Sequence, residues 1–488
     1  MSDADALMWN IEKDPVLRST IVAVGLLDRA PDFERLRRRL ARASIAIPRL
    51  RQRVLSPPLR LGPPRWAHEP NFDLDFHLRR VRAVKPGDHR QLLELVAPIA
   101  QASFDRARPL WELTIVEGLA GHRAAAVMKV HHSVTDGVGG IDLLTQVVDL
   151  ERDAAEPAPL PEPDAATSLG ALSLLRDSLQ HSARRGLGIS RRVPAMLSQA
   201  VVETARDPLR AAAGALDTGR SIGRMLAPAT APMSDVLGER SLGRRLDTFE
   251  VPLDDLKRAA KAVDGSVNDA FVAAVVGGLT RYHSHHGSAI GELRMTLPIN
   301  LRTAEHDSGG NQFAPARFPV PASIEDPAQR MRAIGALVRG WRAEPALRMT
   351  STLAGVLNRL PTATSTALFG SMLKCVDFVT SNVPGAPIPV FLAGAEVDGF
   401  YAFAPPSGAA LNVTLVSHCD RCCIGIVTDT AAVADPDVLV DSLRSGFDEV
   451  CALGSGSHAS PSSTPPSTSR AGRTATRPPS QDRSTRSE

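Results

Sequence analysis

Residues 131 to 140 read His-His-Ser-Val-Thr-Asp-Gly-Val-Gly-Gly, two adjacent imidazoles placed four residues ahead of an Asp-Gly turn. An imidazole titrates near neutral pH, so the pair suits a general base or a metal site, or only the hydrogen-bonded end of a buried strand. Successive residues leaving a strand point to opposite sides, and His131 and His132 cannot both enter one pocket without a local bend. One of them is therefore expected to be structural. Zinc would take Asp136 as a third ligand, but the helical HExxH spacing is missing and no metal is expected. A Ser-His-Asp triad fits poorly, since Ser133 is the histidine's own neighbour and is not set in a GxSxG elbow.

The elements that must hold these residues follow from the hydrophobic periodicities. Residues 19 to 27 read as a strand, and Pro31 opens a helix whose Phe33, Leu36 and Leu40 recur at helical spacing. Phe72, Leu74, Phe76 and Leu78 alternate strictly, which predicts a half-buried strand. A helix over about 88 to 101 follows, then an alternating Trp111, Leu113 and Ile115, a turn near Gly121, and the apolar run Ala124 to Val130 that delivers His131. Beyond the motif, Ile141, Leu144 and Val148 form a helix face. Strands mixed with helices on this scale indicate an α/β body.

Composition changes at Glu151 to Ala, Pro, Arg and Ser, beginning with the stiff Glu-Pro-Ala-Pro-Leu-Pro-Glu-Pro of residues 156 to 163. Residues 151–235 are expected to be a connector with helical pieces at 169–180 and 194–204, solvated rather than lying on a membrane. The span 236–452 again mixes both periods, while 453–488 is rich in Ser, Pro, Thr and Arg and is expected to be disordered.

At 488 residues the chain is too long for one ordinary domain. Its formal charge of +3 comes from the arginines of the last 35 residues, which leaves the body near neutral and argues against a nucleic-acid groove. The acidic opening Ser2-Asp3-Ala4-Asp5 lacks the basic and apolar stretches of a signal peptide, and the apolar run Ala270 to Leu279 is far short of the roughly 20 residues that span a bilayer. A cytoplasmic protein is expected. Its five cysteines, Cys375, Cys419, Cys422, Cys423 and Cys451, form no disulfide framework.

Several second-half segments have local readings of their own. Ser266-x-x-Asp269 has the pattern of a helix cap, and Phe271, Val275, Gly278, Leu279 and Tyr282 form the buried face of the helix it opens. Asn268, on the first turn, is not accounted for by the cap. His283, His285 and His286 end that helix, where imidazoles favour the dipole and solvent. Ser381 to Gly385 reads as a turn leaving a strand, and Asn300 and Arg302 as hydrogen-bond anchors at a strand exit. Cys419-x-x-Cys422-Cys423 looks like a hairpin turn, because no second ligand pair follows at zinc spacing.

Taken in order, these segments resemble a known family. His131-His132-Ser133-Val134-Thr135-Asp136-Gly137 resembles the HHxxxDG signature of the CoA-dependent acyltransferase superfamily. Arg108-Pro109-Leu110-Trp111-Glu112, Ser266-Val267-Asn268-Asp269, Leu297-Pro298-Ile299-Asn300-Leu301-Arg302 with Gly310-Asn311, and Ser381-Asn382-Val383-Pro384-Gly385 narrow the resemblance. The branch is that of bacterial wax ester synthase/acyl-CoA:diacylglycerol acyltransferases, matched over about residues 3 to 452. Departures are Ala386 in place of a second proline and Ser417-His418-Cys419-Asp420 in place of Ser-Tyr-Ala-Gly.

The resemblance implies an α/β fold of two chloramphenicol-acetyltransferase-like domains forming a pseudo-dimer, with residues 1–150 and 236–452 as its halves and the active site at their interface. It implies His132 as general base, His131 in support, and Asp136 and Gly137 shaping the loop. Asn382, placed near the acyl and CoA channel, is a candidate contact, and Asn268 could donate its amide toward the thioester oxygen if its helix N-terminus faces the tunnel. No permanently bound cofactor is expected. Long-chain acyl-CoA is the implied co-substrate, diacylglycerol or a fatty alcohol the acceptor, and a peripheral position at the inner membrane face or lipid droplets follows from greasy substrates without a span. A catalytically idle lipid or CoA binder is the alternative; a condensation-type enzyme would call for carrier domains that this chain lacks.

Overall fold

The computed structural model describes residues 1–57, 63–134, 145–161, 231–300, 313–344 and 361–455, with Arg176, Arg220, Gly223 and Asn358. In chain order the elements are α1 (Asp3–Ile11), β1 (Thr20–Leu27), α2 (Phe33–Ala46), β2 (Gln52–Leu55), β3 (Arg65–His68), α3 (Leu74–His77), β4 (Leu78–Arg82), α4 (His89–Gln101), β5 (Trp111–Glu117) and β6 (Ala124–His131). There follow β7 (Arg244–Pro252), α5 (Leu253–Lys261), α6 (Val267–His285), β8 (Glu292–Asn300), β9 (Phe313–Pro321), α7 (Pro327–Arg342), α8 (Thr362–Lys374), β10 (Phe378–Pro384), β11 (Phe391–Leu392), β12 (Ala395–Phe403), β13 (Leu411–His418), β14 (Arg421–Asp429) and α9 (Pro436–Ala452).

Two six-stranded sheets result, ordered β11-β12-β1-β6-β5-β4 and β7-β14-β13-β10-β8-β9. In the first, β1 lies antiparallel between β6 and β12, with Val24 opposite Val127 on one side and Tyr401 on the other. Strands β11 and β12 lie within the span 236–452 yet complete the first sheet, so that sheet draws on both ends of the chain.

Local chemistry accounts for the helix boundaries. Asp88 and Gln91 form a capping box on α4, as Ser266 and Asp269 do on α6. On α6, Phe271, Val275, Leu279 and Tyr282 are fully buried, as their spacing predicts. A side chain at Gly278 would put its Cβ 2.6 Å from Leu443 Cα, so glycine is what lets α9 pack directly on α6.

Three expectations need correction. The alternating Phe72 to Leu78 is not one strand: Asp73 caps the short α3 by accepting from Asp75 N at 3.0 Å, and only Leu78 onward is extended. Phe72 instead stacks on His77, which stacks on Trp111 at 4.6 Å between ring centroids. Ser381 to Pro384 is no turn but the end of β10, held parallel to β13 with Ser381 opposite Thr414. His283 does not face solvent; it is fully buried, with Nε2 2.7 Å from Ser234 Oγ and Nδ1 2.7 Å from the Leu279 carbonyl. The hairpin at Cys419 is as expected, with β13 and β14 meeting there and Cys422 and Cys423 buried in β14. Of the expected helix face, Ile141 and Leu144 lie outside the described residues, as do most of the connector, Arg302 and the tail beyond Ser455, while Val148 is not helical.

The halves meet along two seams. On one, Val22, Val24, Ala125 and Val127 of the first sheet share a core with Leu246, Cys423 and Val427 of the second, closed by Arg90 Nη1 to Asp247 at 2.8 Å and Tyr401 Oη to Glu250 at 2.6 Å. On the other, α1 bears on the second half: Leu7, Ile11 and Leu17 cluster with Leu373, Lys374 Nζ pairs with Asp14 at 2.6 Å, and Asn358 Nδ2 donates to the Asp3 carbonyl at 2.7 Å.

Candidate active site

Strand β6 presents the histidine pair at its end because both neighbouring chains grip it there. The His131 backbone N–H donates to the Leu110 carbonyl at 3.0 Å, and that of His132 to the Ser19 carbonyl at 2.8 Å. With Thr20 opposite His131, the pair is fixed from β1 and from the segment entering β5. Apolar Val130, Val127, Ala125 and Ala124 anchor the strand in two core layers, which leaves its polar tip at the edge of the packed region.

The two imidazoles have different surroundings. His131 is 1% exposed and both ring nitrogens are committed. Nδ1 accepts from the Ser133 backbone N–H at 3.0 Å and lies 2.7 Å from Ser133 Oγ, while Nε2 lies 2.8 Å from Glu12 Oε1. Because Nδ1 accepts a backbone donor, Nε2 carries the proton and donates to the carboxylate. Trp9 and Phe104 present ring edges to it at 5.7 and 6.2 Å. His132 is only half-buried.

Glu12 and Lys129 escaped sequence reading. The first follows α1, whose Ser2 cap on Asp5 N at 3.1 Å and buried Leu7 and Ile11 were visible only as an acidic opening. Burial alone pushes the Glu12 carboxyl upward, but the hydrogen bond from His131, the Ser19 N–H and the charge of Arg106 hold it below the ordinary glutamate value. Lys129 is 1% exposed, with Nζ 3.9 Å from Glu112 and 4.3 Å over the Phe104 ring; burial lowers its pKa against the pull of Glu112. Its type, in the middle of an apolar run, was the available signal.

Asn268 sits on the first turn of α6, and its buried Nδ2 has no hydrogen-bond partner among the described residues. Asn382 is exposed on β10, opposite Leu415. Asp136 and Gly137 lie outside the described residues. Among the described residues, no three His, Cys, Asp or Glu side chains stand where they could hold a metal ion together.

Residues 1–271 match the family described as the wax ester synthase/diacylglycerol acyltransferase catalytic domain, and residues 309–450 match the C-terminal domain of the same family. The chain belongs to the wax ester synthase/diacylglycerol acyltransferase family. A relative in Mycobacterium tuberculosis strain H37Rv, named provisionally as a diacylglycerol O-acyltransferase, is 40% identical over 463 residues, covering 93% of this chain and 92% of its own. Among solved structures, the wax ester synthase/diacylglycerol acyltransferase from Marinobacter aquaeolei VT8 superposes with a TM-score of 0.60 at 21% identity, covering 93% of this chain and 98% of that one. The starter condensation domain of rhizomide synthetase, solved in complex with C8-CoA and Leu-SNAC, gives 0.57 at 14% identity over 93% and 94% of the two chains. Both likenesses bear out the expected two-part α/β architecture of the family.

Proposed function

We propose that this chain transfers a long-chain acyl group from acyl-CoA to the hydroxyl of diacylglycerol or a fatty alcohol, with His132 as general base. The observation that carries the assignment of the base is the contrast with its neighbour: His131 is buried with both ring nitrogens bound within the protein, whereas His132, at the tip of the strand, is only half-buried. In the step proposed, the acceptor O–H gives its proton to the His132 imidazole as the oxygen attacks the thioester carbonyl. The C–S bond then breaks, and the imidazolium returns the proton to the CoA sulfur. Thiolate leaves readily, so no acyl-enzyme is needed.

Asn268 fits the role of donor to the thioester oxygen, since a buried amide N–H without a partner among the described residues is what such a site requires. Asp136 and Gly137 are proposed to shape the loop that follows, and Asn382 to border the channel. Because both substrates are lipidic and no helix among the described residues is long and apolar enough to cross a membrane, we place the chain peripherally at a membrane or lipid-droplet surface. The test is transfer from radiolabelled oleoyl-CoA to diolein, with hexadecanol in competition. Transfer is expected from the wild type and a loss of at least about 10²-fold in His132→Ala; a folded His132→Ala protein with full turnover would remove His132 from the mechanism.

A further inference from the structure

One carboxylate oxygen holds both histidines. Glu12 Oε1 accepts from His131 Nε2 at 2.8 Å and from the Ser19 backbone N–H at 2.6 Å. The same Ser19 peptide unit region returns a carbonyl to the His132 N–H at 2.8 Å. The side chain of the first histidine and the backbone of the second are thus tied to a single atom through two short routes. Among the described residues, the other carboxylate oxygen, Oε2, is met by Arg106 at 3.4 Å.

From this geometry we infer that Glu12 is the positioning residue of the histidine pair: it sets the direction in which His132 leaves β6 and takes no part in the proton transfer. The side chain is 8% exposed and sits one residue past the end of α1, whose outer face bears on Leu373 and whose following residues pair through Asp14 with Lys374. The clamp is therefore seated on the second half while it holds a strand of the first. Displacing a base by about 1 Å costs on the order of 10²-fold in rate, so a clamp of this kind has a large kinetic signature without touching substrate. The inference rests on the reading of His132 as base.

Because both histidine-facing bonds use Oε1, a glutamine can reproduce them, its amide nitrogen replacing only the oxygen toward Arg106. Oleoyl-CoA and diolein turnover is measured for wild type, His132→Ala, Glu12→Ala and Glu12→Gln, with thermal midpoints for each. Glu12→Ala should lose about 10²-fold in kcat with KM for oleoyl-CoA within about twofold, and Glu12→Gln should recover to within about fivefold of wild type. A folded Glu12→Ala protein with wild-type kcat, or a Glu12→Gln protein as slow as Glu12→Ala, overturns the clamp. An inactive wild type would instead count against the acyl-transfer reading, so the two failures separate.

Discussion

Asn268 buries an amide nitrogen that no group engages among the described residues. A buried amide left without a partner costs about 1–3 kcal/mol, and nothing in the capping box of Ser266 and Asp269 requires that cost, since the cap uses the neighbouring side chains. If its N–H is reserved for a thioester oxygen, Asn268→Ala should lower kcat by about 10²- to 10³-fold while the thermal midpoint stays level or rises. A fall in midpoint with kcat retained would make it a packing residue. At this scale the sequence was legible where a residue type is rare in its setting. His131 and His132 stand out against an apolar strand, and strand alternation says that they face different surroundings, while the proposal of His132 as base comes from the family resemblance. Glu12 was illegible for the opposite reason: a glutamate after a short helix is ordinary, and only the fold brings it across 119 residues to His131.

At the scale of elements, the burial of His283 changes what the end of α6 does. Solvation was the natural expectation for three histidines at a helix terminus, but Ser234, arriving from the connector, offers its hydroxyl to Nε2 and so allows one of them inside. Burial depresses its pKa, against smaller upward pulls from the Leu279 carbonyl and from Asp235 and Asp377, with His286 pulling down. A histidine with a depressed native pKa takes up its proton more readily when unfolded, so its contribution to stability is present above the ordinary histidine value and is lost as pH falls through it. His77 is depressed by burial in the same way, behind its stack on Trp111. Thermal midpoints should therefore fall between about pH 7 and pH 5.5, and His283→Gln should flatten that slope. An unchanged slope in the variant would show that His283 does not titrate with unfolding. Strands and long helices were legible here because period and caps agreed; α3 was not, since Asp73 overrides an alternation that Phe72 and Leu78 otherwise share with any strand.

Viewed whole, the molecule is less divisible than its sequence suggests. Two halves with similar rhythms invite the idea of two independent units, yet β12 pairs with β1 from Val22 opposite Phe403 to Leu27 opposite Val397. Without it, the first sheet would expose a strand edge beside Val22 and Val24. A fragment of residues 1–235 expressed alone should be insoluble or aggregated, and adding residues 236–455 during synthesis should restore soluble protein; a soluble, monomeric fragment would show that β12 is dispensable. The swap was invisible in sequence because β12 alternates like any half-buried strand and nothing local says which sheet it joins.

That borrowed strand also sets an order of events during synthesis. Every element that surrounds the histidine pair in the first sheet has left the ribosome by His131, but the neighbour that seals β1 does not arrive until Phe403. At bacterial elongation speeds the interval is on the order of tens of seconds. Through that time the first sheet must wait with one edge open, and the strand that ends in His131 gains its completed sheet only near the end of translation.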